Sequence, residues 1–294
     1  MENKKILITG ATGFTGVHAV QYFKEKGYKV VGTSRKNAND QMLKVDLTRR
    51  EEVFHIMEFV KPDYVLHLAG QNAVNTSWGD PLATFDVNLL AALHVLEAIR
   101  IHQPKAKTVV VGSALEDVLK EDHPASHPYG LSKTFQSWVA RKWAELFGLH
   151  IVTVKPTNLI GPGFSNGVCA LFAEKIANME KRNQSATVTI TNPDIKRDFL
   201  DVRDAVKGYD VVLQKGNSGE CYEMGTGEFV SIKTIVKHYQ EMAYLPFLVN
   251  IQHQSAQLTV PALNNEKLFK IGWKPTISLR KSLLDTLNFY RQNS

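Results

Sequence analysis

KKILITGATGFTG, residues Lys4–Gly16, is the stretch whose reading decides the fold. The aliphatic run Ile6-Leu7-Ile8 is bounded by glycine, as a buried parallel strand is. Val17, Ala19, Val20 and Phe23 then recur at helical spacing. Gly10, Gly13 and Gly16, spaced GxxGxxG, therefore occupy a strand-to-helix turn. Such a turn needs residues without side chains, and its helix start offers free backbone N–H groups to a pyrophosphate.

Working outward, Gly27 stops the first helix and Tyr28–Gly32 reads as the second strand. Its end, Thr33-Ser34-Arg35-Lys36, falls where a dinucleotide fold reads the adenosine ribose. No acidic residue stands there before Asp40; Arg35 and Lys36 offer cations, which suit a 2′-phosphate. NADP(H) is therefore preferred, with NAD(H) left open. Met42–Val45 is a third strand, followed by a helix that Thr48 caps with Glu51 three residues on. Tyr64–Gly70 is a fourth, central strand, and Pro81 introduces a long helix through Leu82–Ile101. Thr108–Val111 ends at Gly112-Ser113; a helix over Tyr129–Phe147 and the strand Ile151–Val154 complete the alternation. The pattern implies an α/β Rossmann fold, a doubly wound parallel sheet with right-handed crossovers. Gly10, Arg35, Asp46, Gly70, Ser113 and Pro156 all fall at strand carboxyl ends, where such sheets bind ligands. Residues 1–157 form the dinucleotide-binding domain, to which later segments return. Residues 158–294 form mainly a smaller C-terminal α/β substrate lobe. In that lobe Val168–Lys181 reads as a helix, Val188–Ile190 as a strand, and Arg197–Leu200 as the lead into a turn.

At 294 residues, 44% hydrophobic and 22% charged, the chain has the composition of a globular protein with a large core. The net charge of +6 is scattered, which argues against nucleic acid and suits small anions. Cys169 and Cys221 are the only cysteines, so neither a disulfide framework nor a metal site is expected. The N-terminus opens directly on the first strand, and no run looks long enough to span a membrane. A cytoplasmic protein is expected.

Tyr129-Gly130-Leu131-Ser132-Lys133 spells YxxxK, which on a helix puts phenol and ammonium on one face. A phenol titrates near 10, and a neighbouring lysine lowers that value toward neutral pH. Ser113, 16 residues upstream at a strand end, can hydrogen-bond a substrate carbonyl. His123 and His127, between Ser113 and Tyr129, read as exposed loop histidines, with a place at the site mouth as the alternative, and Trp78 either covers a base or seals the lobe.

With these motifs in place, the chain resembles the extended short-chain dehydrogenase/reductases over nearly its whole length. The likeness rests on GATGFTG at Gly10–Gly16, Asp46-Leu47, HLAG at His67–Gly70, Asn88, Ser113, YGLSK at Tyr129–Lys133 and RDFLDVRD at Arg197–Asp204. Within that superfamily it looks most like the GDP-mannose 4,6-dehydratase and GDP-4-keto-6-deoxymannose reductase branch. The resemblance implies Tyr129 as general acid, Lys133 holding the nicotinamide ribose and Ser113 orienting the carbonyl. It places the pyrophosphate on Gly10, Thr12, Gly13, Phe14, Thr15 and Gly16, and the adenine at Asp46 and Leu47. Leu68, Ala69, Gly70 and Pro156 would follow the rest of the cofactor. Gln71, Ser113, Asn158 and Arg197 would hold a nucleotide-sugar. Relatives pair two long helices into a four-helix bundle, so a homodimer is implied.

The chain departs from that branch at Leu115, where dehydratases carry an acid two places past the catalytic hydroxyl; Glu116 lies one further along. A leucine cannot move a proton, so carbonyl reduction is favoured over elimination. Gln252–Pro261 also lacks the usual late arginine, which leaves the nucleotide open. The expectation is an NADPH-dependent reductase of a nucleotide-linked 4-keto-6-deoxyhexose, with UDP-linked N-acetylhexosamines included. A 4-epimerase or 4,6-dehydratase with retained NAD(P) and a non-catalytic NADP sensor are the alternatives.

Overall fold

The computed structural model describes residues 4–36, 42–119, 124–185, 187–252 and 263–293. The chain runs β1 (Lys5–Thr9), α1 (Phe14–Glu25), β2 (Lys29–Ser34), β3 (Met42–Lys44), α2 (Arg50–Val60), β4 (Tyr64–His67) and α3 (Val74–Gly79). Next come α4 (Pro81–Phe85), a π-helical turn (Asp86–Leu90), α5 (Ala91–His102), β5 (Lys107–Val111), α6 (Pro128–Phe147) and β6 (Ile151–Pro156). They are followed by β7 (Asn158–Ile160), α7 (Val168–Arg182), β8 (Thr187–Thr191), β9 (Lys196–Asp201), α8 (Val202–Lys215) and β10 (Cys221–Met224). The last are β11 (Phe229–Ser231), α9 (Ile232–Met242), β12 (Leu248–Gln252), α10 (Glu266–Lys270) and α11 (Leu279–Asn293). Two compact units result, one of Met1–Pro156, Val206–Glu223 and Glu266–Trp273, the other of Thr157–Ala205, Met224–Asn265 and Lys274–Ser294.

The first unit is built on a seven-stranded sheet in the order β10-β6-β5-β4-β1-β2-β3. β1 through β6 pair in parallel, and chain order reverses between β1 and β4. That reversal is where doubly wound sheets open a crevice. Ile6, Leu7 and Ile8 are essentially inaccessible; each such burial contributes ~1.5–3 kcal/mol. α2 and α5 cover one part of the sheet through Val53, Met57, Val95 and Ile99.

Three local expectations are corrected. Thr48 does not cap α2: its hydroxyl donates to Asp46 at 2.7 Å, Arg49 takes the cap position, and no side chain caps the helix. The aspartate two residues back outcompetes the helix N–H groups for that hydroxyl. The helix from Pro81 is not uniform, because Asp86–Leu90 widens into a π turn around buried Asn88. That same run, Pro81–His102, is also long and apolar enough by composition to cross a membrane, with a mean hydropathy of 1.5. Ala91, Ala92, Val95, Leu96 and Ile99 are buried within the unit, as a core helix requires.

The second unit carries a three-stranded sheet, β11-β9-β7, and the parallel pair β12–β8. α7, α9 and α11 enclose its core around Phe172, Ile176, Ile235, Tyr239 and Leu283. Arg197–Leu200 lies within strand β9, not in the approach to a turn, and pairs with β11 and β7. Alternate burial of Phe199 and Leu200 on both faces explains the strand.

Candidate functional site

The glycine turn closes tightly over the end of β4. Gly10 has φ +68, and a Cβ there would lie 2.9 Å from the Ala69 backbone. A Cβ at Gly16 would lie 2.1 Å from Gly10 O, so α1 approaches β1 too closely for any side chain. Gly13 takes the cap position of α1 with no side-chain cap and no acid in the first turn. The N–H groups of Phe14, Thr15 and Gly16 are thus left to an anion at the positive end of the helix.

At the end of β2, Ser34 accepts from Thr12 Oγ1 and Lys36 N, both at 3.3 Å. Ser34, part of the segment expected to read the adenosine ribose, thereby joins that segment to the glycine turn. Arg35 is exposed. Asp46 is held below its ordinary pKa, chiefly by the hydrogen bond from Thr48 and in part by the Arg35 charge. The Leu47 carbonyl accepts from His94 Nδ1 at 3.0 Å, which fixes the backbone beside that crevice. Leu68 N and Ala69 N donate to Thr9 O and Thr9 Oγ1. Gly70 lies against Lys133, with its Cβ position 3.3 Å from Nζ. Gln71 spends its amide on Ala73, donating to the carbonyl at 2.8 Å and accepting from the N–H. Its amide is therefore engaged within its own loop.

α6 brings the reactive groups together. His127 is not an exposed loop histidine: it is 9% exposed and caps the helix, Nδ1 accepting from Gly130 N at 2.7 Å. His123 lies outside the described residues. Ser113, Tyr129 and Lys133 are 8%, 6% and 5% exposed. Burial pushes the Tyr129 phenol above its ordinary pKa, while hydrogen bonding with Ser113 pulls it down. The lysine-driven depression expected from YxxxK is therefore corrected: the phenol is raised, desolvation first, with the Ser113 hydrogen bond and not Lys133 acting against it. Lys133 Nζ donates to Val111 O at 3.0 Å and Gln136 Oε1 at 2.8 Å. Desolvation lowers it to about 8, with the Glu116 charge opposing. Ser113 Oγ accepts from Leu115 N at 3.1 Å, which leaves its proton to be donated. Ala114 N donates to Pro156 O at 2.9 Å and fastens this loop to β6. Asn88 anchors Gln71 N through Oδ1 and reaches Ser132 Oγ through Nδ2, which joins the π turn to α6.

In the second unit, Asn158 Nδ2 donates to Asp198 O at 2.9 Å. Burial lowers the Arg197 pKa, and among the described residues no carboxylate pairs with it. The neighbouring acids are committed elsewhere. Asp198 takes Thr226 and Gly227 N–H groups, and Asp201 takes Arg203 and Ser282. A partly buried guanidinium left this way is suited to an anionic ligand.

Comparison with known proteins matches residues 6–225 to the NAD dependent epimerase/dehydratase family. GDP-6-deoxy-D-mannose reductase of Pseudomonas aeruginosa is 27% identical over 95% of both chains. The structure of RMD from the same organism, complexed with NADPH, superposes with a TM-score of 0.85 at 24% identity, covering 99% of this chain and 100% of that one. UDP-glucose 4-epimerase of Thermus thermophilus, in complex with NAD, gives a TM-score of 0.86 at 24% identity over 99% and 100%.

Proposed function

The chain belongs to the NAD dependent epimerase/dehydratase family, and from that premise we propose that it is an NADP(H)-preferring reductase of nucleotide-linked 4-keto-6-deoxyhexoses. The residues fit a dinucleotide: an uncapped α1 start, glycines that admit no Cβ, and, directly after β2, an exposed Arg35 that would take a ribose 2′-phosphate. Bound there, NADPH supplies the hydride. Tyr129, protonated at neutral pH, gives its proton to the carbonyl oxygen at C4. Ser113 donates a hydrogen bond to the same oxygen, and Lys133 keeps a positive charge beside the phenol. In the second unit, Arg197, with no carboxylate partner among the described residues, suits the diphosphate of a nucleotide-sugar.

One observation favours reduction over elimination. Leu115 stands where a dehydratase needs an acid, and the nearest carboxylate, Glu116, is 3% exposed and paired with Lys155 at 2.8 Å. It is in no position to take a proton from a sugar. Cys169 and Cys221 are both free thiols, which suits a reducing, cytoplasmic compartment. Trp138, Leu146 and Phe147 are exposed on α6, and Leu82, Leu90 and Ile101 on the Pro81–His102 run; a homodimer would cover them.

The test is NADPH consumption against GDP-, dTDP-, UDP- and CDP-linked 4-keto-6-deoxy sugars. Net oxidation with one of them, lost in Tyr129→Phe, supports the reading. Interconversion of 4-epimers with no net NADPH use overturns it.

A further inference from the structure

We infer that Glu116 is a positioning residue of the reduction site, one carboxylate that ties the Ser113 loop, α6 and β6 together and sets the charge facing Tyr129 and Lys133. This rests on the proposed roles of Ser113, Tyr129 and Lys133.

Glu116 Oε1 accepts from Ser113 N at 2.9 Å and from Ser137 Oγ at 2.7 Å, while Oε2 meets Lys155 Nζ at 2.8 Å. The three partners lie on three different elements. Ser113 follows β5 and is the expected carbonyl orienter. Ser137 is one turn beyond Lys133 on α6, so the carboxylate grips the helix on the face that carries the ammonium. Lys155 is near the end of β6. The pocket is cut for this group: a Cβ on Gly112 would lie 2.1 Å from Oε1 and 2.6 Å from Ser137 Oγ. A buried carboxylate is tolerated only with its lone pairs satisfied, and here a cation and two donors do so.

The same charge reaches the reacting groups. It favours the ammonium of Lys133 and disfavours the phenolate of Tyr129. The other titratable groups facing this cluster are His67, which Lys133 acts on from the end of β4, and Cys221 on β10, which lies beside Lys155 and Glu116. Lys155 also faces Glu223. Removing the Glu116 charge lowers both the Lys133 and the Tyr129 values, so either group moves a basic limb the same way.

The experiment compares pH profiles of kcat/KM for the unaltered chain, Glu116→Gln, Glu116→Gln/Lys155→Met and Gly112→Ala. A second readout is ultraviolet titration of the phenol, taken as the difference from Tyr129→Phe in the protein alone. Glu116→Gln keeps an oxygen for Ser113 and Ser137 but loses the charge. Its kcat should fall about tenfold or more, with the basic limb and the phenol midpoint both displaced to lower pH. The double variant leaves no unpaired buried ion, so it keeps the measurement available if Glu116→Gln alone folds poorly. Gly112→Ala expels the carboxylate from its pocket and should move the limb in the same direction. A lower rate with an unmoved limb and midpoint would reduce Glu116 to scaffolding and overturn the inference. So would unchanged kinetics in all three variants while Tyr129→Phe is inactive. Full turnover by Tyr129→Phe would instead remove the catalytic reading beneath it.

Discussion

At the residue scale, the upward shift of the Tyr129 phenol agrees with a proton-donating role. Burial holds it protonated, and a reductase needs a proton donor at that point, not a phenolate base. Tyr129→Phe removes one oxygen from a buried site and should lower kcat ~10²–10⁴-fold while leaving the melting temperature nearly unchanged. Lys133, lowered to about 8, carries its charge through neutral pH and loses it above that value. The rate should therefore hold to about pH 8 and decline beyond it; a profile flat well into the alkaline range would remove Lys133 from the mechanism. Arg35 offers a test of cofactor choice, since it is exposed and shares its crevice with Asp46. Arg35→Ala should raise KM for NADPH about tenfold or more, the loss of a charge-assisted phosphate contact, with KM for NADH little altered. Equal losses for both cofactors would place the 2′-phosphate elsewhere.

At the element scale, what could be read in advance was whatever chain-local spacing encodes. The β1–turn–α1 unit was legible because a buried run, three glycines and a helical stripe are contiguous, and Gly10 and Gly16 occupy the close approaches that glycine spacing implies. YxxxK likewise put Tyr129 and Lys133 on one face of α6. Groups that meet through space were not legible. The sequence placed Glu116 only as one position past the dehydratase acid; its partners Ser137 and Lys155 lie 21 and 39 residues further along. Thr48 carried a capping-box signature, yet Asp46 takes its hydroxyl, a contest that propensity does not resolve. Arg197–Leu200 was mistaken for a lead into a turn because its ladder partners lie at Phe229–Ser231 and Asn158–Ile160. His127 reads as an exposed loop histidine because its cap role depends on an imidazole, where Ser, Thr, Asp and Asn are the usual caps. As the cap of α6 it predicts that His127→Ala costs ~0.5–2 kcal/mol of stability, whereas His127→Asn, which can accept from Gly130 N in the same way, restores most of it. Chemical denaturation of the two variants checks this. Equal stability of His127→Ala and the unaltered chain would show that the α6 N-terminus does not depend on the imidazole.

At the scale of the whole molecule, the strand-end polar groups should appear in how stability depends on pH, and His67 is the clearest case. It is 1% exposed, and its Nδ1 lies 2.8 Å from Thr9 Oγ1. That hydroxyl oxygen also accepts from Ala69 N, so the Thr9 proton is free to point at Nδ1 when the ring proton is on Nε2. Nε2 has no partner among the described residues. Burial first, and the Lys133 charge second, lower the imidazole from 6.5 to about 3. A base with a depressed folded value binds its proton more readily in the unfolded chain. Its contribution is thus complete above pH 6.5 and is lost progressively as pH falls toward about 3. Through that window the unfolding free energy should decline by up to ~1.4 kcal/mol per pH unit from this residue alone. Carboxylates held below their ordinary values add to the decline only nearer the acid end; His150, which burial also lowers, contributes in the upper window, so His67's share is the difference between the unaltered chain and His67→Gln. His67→Gln can still accept from Thr9 but does not titrate. It should be somewhat less stable at neutral pH and show a flatter stability curve between pH 6.5 and pH 5. Parallel curves for the two chains, measured by denaturant unfolding across that interval, would mean that the imidazole is not what ties this fold to pH.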